Sequence, residues 1–171
     1  MTVVLRTGND DDLAAVGALH YHSRAAAYRG LLPPEALTFG SPEVLGEWWA
    51  ERVRWERETH RLTVAERDAT IVGFTYLGPS EEPGMIELYA IHVEPARVGA
   101  GIGRDLMADA LPHLGEQPVL WVLGGNERAR RFYEKGGWFA DGMTREAPIG
   151  GRMTRQLRYS RRAGGRERVT E

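Results

Sequence analysis

The chain has 171 residues, 42% hydrophobic and 27% charged, with a formal net charge of −2. That is the length and balance of one globular domain, with no global field that would draw nucleic acid. The absence of cysteine excludes disulfides, thiolate metal sites and a thiol nucleophile. The opening MTVVLRTGNDDD does not have the basic segment and long apolar core of a secretion signal, and no apolar run reaches spanning length. A cytoplasmic protein with no membrane partner is therefore expected.

Val3 to Arg6 reads as a short strand. The run Asn9-Asp10-Asp11-Asp12 offers N-caps for a helix through Leu13, Val16, Leu19 and Ala26, which Gly30-Leu31-Leu32-Pro33-Pro34 stops. Ser41-Pro42-Glu43 opens a second helix, with Leu45, Trp48, Trp49, Arg52 and Val53 at helical spacing. Leu62 to Ala65 and Ala69 to Leu77 read as strands joined by a turn at Glu66-Arg67-Asp68.

A loop over Gly78 to Gly84 leads into Met85 to Val93, whose nearly unbroken apolar run predicts a central, buried strand. Ile102, Leu106 and Ala110 mark one face of the next helix, which Pro112 limits. Val119 to Leu123 is a second buried strand, broken by Gly124-Gly125. Asn126 then caps a helix with Ala129, Phe132 and Tyr133 inward, closed by Gly136-Gly137. Trp138 to Met143 and Met153 to Tyr159 predict a last antiparallel pair. The order β-α-α-β-β-β-α-β-α-β-β implies a three-layer α/β/α sandwich with a mixed, mostly antiparallel sheet and a ligand at the carboxyl ends of its central strands. Residues 1–160 are read as one domain and 161–171 as a flexible, Arg-rich tail.

The most informative stretch is Ile86 to Leu106. A buried strand runs into Val93-Glu94-Pro95, a loop carrying Gly99, Gly101 and Gly103, and a helix start. Bare backbone N–H groups at a helix N-terminus suit an anion, and glycines let the backbone approach it. A nucleotide P-loop is excluded, because the sole lysine, Lys135, is followed by Gly136 rather than Ser or Thr. The glycine spacing also departs from the dinucleotide fingerprint.

Val93-Glu94-Pro95 followed by Val98-Gly99-Ala100-Gly101-Ile102-Gly103 resembles the acyl-CoA loop of the GNAT superfamily of N-acetyltransferases. Downstream, Val119 to Leu123 and then Asn126 to Trp138 resemble that family's second motif, strand, N-x-x-A-x-x-F-Y helix and G-[FW]. Ala27 to Pro33 is similar to a turn common after its first helix. The likeness runs in order from about Val3 to Tyr159. One departure is Val98, where the family has Gln or Arg, so the pyrophosphate contacts fall to the backbone and Arg104.

The resemblance implies an N-acetyltransferase of the acyl-CoA N-acyltransferase-like fold. It would move an acetyl group from acetyl-CoA to a small amine or peptide amine by direct attack in a ternary complex, without a metal. Tyr133 is the implied acid at the leaving sulfur, against the alternative of a core aromatic beside Phe132. Glu87 is the implied base, against an ion pair with one of the many arginines or a water-relayed base. Ile91 N–H would hold the oxyanion and Val93 N–H the pantetheine arm, with His92, Asn126 and the loop residues Val98 to Arg104 also at the cofactor.

His92 should alternate to the face opposite Glu87 and Ile91 and read as a buried structural histidine. His20 and His22 make a poor metal pair. Tyr28, Trp48, Trp49 and Tyr76 are either acceptor-pocket walls or core. A homodimer through the last strands is common in the family. Two other classes stay open: a non-catalytic acyl-CoA sensor on the same fold, and nucleic-acid binding through the Arg-rich tail, which a short segment carrying Glu167 and Glu171 argues against.

Overall fold

A computed structural model describes residues 2–162. The elements are β1 (Val4–Thr7), α1 (Leu13–Ala27), α2 (Pro34–Leu37), α3 (Pro42–Glu56), β2 (Arg61–Arg67), β3 (Thr70–Pro79), β4 (Ile86–Val93), α4 (Ile102–Ala110), β5 (Pro118–Leu123), α5 (Glu127–Lys135), β6 (Trp138–Ile149) and β7 (Arg152–Arg161). Caps explain the starts. Asn9 Oδ1 accepts from Asp11 N–H at 2.9 Å, and the Asp12 carboxylate accepts from Asn9 N–H at 2.8 Å. Ser41 Oγ accepts from Val44 N–H at 3.1 Å ahead of α3, and Asn126 Oδ1 from Ala129 N–H at 3.2 Å ahead of α5.

One sheet of seven strands in the order β1-β2-β3-β4-β5-β7-β6 forms the middle layer, and only β4 and β5 are parallel. Helices α1 and α3 cover one face through Val16, Leu19, Trp49, Val64, Phe74 and Tyr76. Helices α4 and α5 cover the other through Leu88, Met107, Leu120, Val122, Trp138 and Tyr159. Each such fully buried large apolar side chain contributes about 1.5–3 kcal/mol. The three-layer sandwich is thus present.

Several boundaries differ from the sequence reading. The β2–β3 turn sits at Asp68 and Ala69, which adopt φ of 51° and 59°, not at Glu66 to Asp68. A short helix, α2, stands in the Pro33–Phe39 connection, because Pro34 at its first turn has φ already suited to helix. Strand β6 runs on past Met143 to Ile149, since after a register shift over Asp141 to Met143 it pairs again with β7 from Thr144 up to a turn at Gly150-Gly151. Arg161 belongs to β7, where it pairs with Trp138. The proposed tail therefore does not begin there, and residues 163–171 lie outside the described residues.

Two irregularities in β4 position the site. Its pairing with β5 is confined to Ile86↔Pro118 and Glu87↔Val119, after which the two strands diverge while each keeps its other neighbour. The register against β3 also shifts between Tyr76↔Ala90 and Leu77↔Leu88, leaving Tyr89 as the extra residue of a bulge.

Candidate active site

The divergence of β4 and β5 leaves a wedge lined by backbone. Glu94 N–H donates to Val72 O of β3 at 2.9 Å. N–H groups alternate between strand edges, so those of Val93 and Ile91 project the other way, into the wedge. Beyond it, a single 3-10 turn over Pro95 to Arg97 leads into the glycine loop. Gly99 and Gly101 have φ of 92° and 90°, a conformation that a side chain would strain. Val98 N–H donates to Pro95 O and Ala100 N–H to Arg97 O, so both are spent inside the loop. The first N–H groups of α4, those of Ile102, Gly103 and Arg104, have no acceptor within the helix and carry its positive dipole end. Val98 itself is exposed at the loop tip.

Tyr133 projects from α5 and packs on the core that includes Leu120 and Trp138, in edge contact with Phe132 and Trp138. Burial raises its phenol pKa above the ordinary value, and nearby Tyr28 adds to this, so it is held protonated. Tyr28 ends α1 and is likewise raised by burial. Asn126 is engaged as a helix cap.

Glu87 is buried on β4. Burial raises its carboxyl above the usual carboxylate range; Arg145, then Arg52, oppose that rise and Glu81 adds to it. Among the described residues it closes no ion pair with either arginine, so the ion-pair alternative for this residue is not what the geometry contains. Arg52 is occupied elsewhere, bound to Glu56 and surrounded by the rings of Trp48, Trp49, Tyr76 and Tyr89. Tyr89 is raised by burial to about 12, with Glu87 the next cause.

The bulge at Tyr89 corrects the reading of His92. One residue is added between positions 87 and 92, so His92 lies on the same face as Glu87, while Ile91 packs toward the α4 side. On its face His92 meets Ser23, with Oγ and Nδ1 2.9 Å apart, and the His20 ring at 4.8 Å between centroids. His20 Nδ1 accepts from Trp49 Nε1 at 3.1 Å. Burial depresses both imidazoles, His20 to about 4 and His92 well below its usual value. Sequence reasoning missed this pair, because the partners are 72 positions apart and no local pattern joins them.

Trp49 and Tyr76 are core residues, and Trp48 is partly exposed, with its ring against Arg52 and Trp49. The site is bounded instead by the β6–β7 hairpin. A Cβ at Gly150 would fall 2.0 Å from Ala36 O of α2, so the hairpin tip lies directly against the α1–α3 connection. Among the described residues no cluster of His, Asp and Glu is placed to hold a metal.

A mixed sheet split between two parallel strands, with a glycine loop and helix N-terminus at the split, defines an acyl-CoA N-acyltransferase-like fold. The model of the acetyltransferase (GNAT) family matches residues 25–138, and the chain belongs to that family. It is 31% identical over 146 residues to the "Probable N-acetyltransferase Rv2775" of Mycobacterium tuberculosis, covering 82% of each chain. It is 32% identical over 142 residues to the mycothiol acetyltransferase of Kocuria rhizophila, covering 74% of this chain but only 44% of that one. Among solved structures it superposes on the PaiA N-acetyltransferase of Thermoplasma acidophilum in complex with coenzyme A, with a TM-score of 0.77 at 18% identity over 95% of this chain and 99% of that one. The yncA protein of Salmonella typhimurium, with its cofactor acetyl-CoA, gives 0.72 at 17% identity over 96% and 95%. No described helix is long and apolar enough to cross a membrane.

Proposed function

We propose that the chain transfers an acetyl group from acetyl-CoA to a primary amine within a ternary complex. The observation that carries this is the wedge itself: two inward N–H groups, Ile91 and Val93, one strand-end away from an unsatisfied helix N-terminus behind Gly99 and Gly101. That spacing suits a ligand with a hydrogen-bonding amide arm at one end and a pyrophosphate at the other.

In this reading the N–H groups of Gly101 to Arg104 bind the pyrophosphate, and Val93 N–H pairs with the pantetheine arm. Glu87, with its raised pKa, accepts a proton from the acceptor ammonium and leaves a neutral nitrogen. Ile91 N–H donates to the thioester oxygen as nitrogen adds to the carbonyl carbon. The Tyr133 phenol then donates its proton to the departing sulfur as the C–S bond breaks, and the second proton, shed by the acylated nitrogen, returns to the phenolate, giving the amide and free CoA. No covalent enzyme intermediate is needed, which suits a chain without cysteine. Similarity to relatives named mycothiol acetyltransferase supports including mycothiol-related acceptors in the panel to be tested.

The test is calorimetric titration with acetyl-CoA, together with CoA release in the presence of an amine panel. Binding and turnover are expected. Tight binding with no turnover, unchanged by Tyr133→Phe, would identify a sensor instead.

A further inference from the structure

Strand register places a second charged group opposite Glu87. Glu87 pairs with Val119, and Trp121 lies two residues further along β5 on the same face. Trp121 pairs with Arg158 of β7, Gln156 follows on that face, and Gln156 pairs with Arg145 of β6. Arg145 therefore shares the Glu87 face of the sheet, although 58 positions separate them in the chain.

Arg145 is held in place. Its guanidinium carbon lies 4.4 Å from the centre of the Trp121 ring. Its Nε donates to Gln156 Oε1 at 3.0 Å, and buried Gln156 in turn donates to Thr154 Oγ1 at 3.2 Å. Among the described residues, both terminal nitrogens, the planar fork that grips a carboxylate, are uncommitted. The other arginines around Glu87 are occupied: Arg52 by Glu56, and Arg158 by Asp141 and Glu82. Glu81, on the exposed turn before β4, is the remaining carboxylate that influences Arg145, and it closes no ion pair with it among the described residues.

A buried carboxylate and a pinned arginine thus face each other without meeting. A ligand of opposite polarity, cationic nitrogen at one end and anion at the other, completes both. We propose that the acceptor is an amine bearing a carboxylate, its nitrogen at Glu87 and its carboxylate on the Arg145 fork. This rests on the acetyltransferase reading above and specifies its substrate class.

The experiment measures CoA release from acetyl-CoA with glycine, β-alanine, L-glutamate, 6-aminohexanoate and glycylglycine, each beside its carboxamide. Acids are expected to exceed their amides by about 10–100-fold in kcat/KM, chiefly through KM. Arg145→Met keeps the aliphatic stem on Trp121 and removes the fork. It should abolish the preference, each acid falling to the rate of its own amide, since the ratio within each pair cancels the effects on Glu87 and Gln156 that acid and amide share. Amides used as well as acids, a preference that survives Arg145→Met, or no acid turned over by a protein that binds acetyl-CoA would each overturn the proposal. Failure to bind acetyl-CoA would remove the underlying acetyltransferase reading instead, and this inference with it.

Discussion

Gly17 of α1 lies so close to Gly46 of α3 that a Cβ on Gly17 would fall 2.2 Å from the Gly46 backbone nitrogen. The two helices that cover this face of the sheet therefore touch backbone to backbone, which only a residue without a side chain permits. Gly17→Ala gains up to about 1 kcal/mol of helix propensity. It must also push α3 outward, and overpacking of this kind costs about 1–3 kcal/mol or more. A net fall in the thermal midpoint of about 2–8 °C is expected by calorimetry. An unchanged or higher midpoint would show that the helices can separate freely.

Tyr133→Phe removes the phenol proton but keeps the ring against Phe132 and Trp138. Loss of a positioned acid should lower kcat about 100-fold. The KM for acetyl-CoA should hold within about twofold, since this group acts on the leaving sulfur rather than in binding. A smaller kcat effect would reduce Tyr133 to a packing residue.

Glu87 must be ionised to accept a proton. Its pKa is raised by burial, so activity should fall with decreasing pH along a limb that lies above the ordinary carboxylate range of about 4.3. Glu87→Gln should lower kcat/KM by about 100-fold or more and erase that limb. A pH–rate profile of both proteins decides this; a limb that persists in the glutamine variant belongs to another group.

The half-buried His20 and His92 give folding stability its own pH dependence. Both pKa values are depressed in the folded state, that of His20 to about 4, against about 6.5 in the unfolded chain. Below about 6.5 the unfolded state takes up protons that the folded state refuses, so stability is lost as pH falls through that window toward 4. Urea unfolding between pH 7.5 and 4.5 should show a decline on the order of 1–3 kcal/mol, shallower in His20→Gln. A flat profile over that range would mean that water reaches the pair.

Grip on the cofactor is assigned to main chain. Gly101→Ala forces a side chain into φ of 90° and should weaken acetyl-CoA binding about tenfold, by the 1–2 kcal/mol that such a conformation costs. Val98→Arg changes an exposed tip whose own N–H is already bonded to Pro95, so affinity and turnover should stay within about threefold. Calorimetry on both variants separates the two; a collapse with Val98→Arg would mean that the loop works through its side chains.

Much of this site was legible before any fold was known, because its signals are local. Caps such as Ser41 and Asn126, the turn residues around Gly99 to Gly103 and the unbroken apolar run of β4 act through neighbours a few residues away. Where reading failed, a distant partner decided the outcome. The local pattern ends a strand at Met143 where β7 extends it to Ile149, and simple alternation puts His92 on the wrong face because nothing nearby announces a bulge at Tyr89.

The proposed roles of Glu87 and Tyr133 come from the resemblance to the GNAT family, whereas the sequence by itself determined the order of most strands and helices and the glycine loop before α4. Each depends on backbone preference or on residues adjacent in the chain. Only the tertiary structure decided that β4 and β5 part after Glu87, that the His20 ring packs against His92, and that Arg145, over Trp121, shares the Glu87 face of the sheet. Those relationships arise from strand register and helix packing over tens of residues. Register is set by how whole faces bury together, so one inserted residue changes which side chains meet without any local signal to record it.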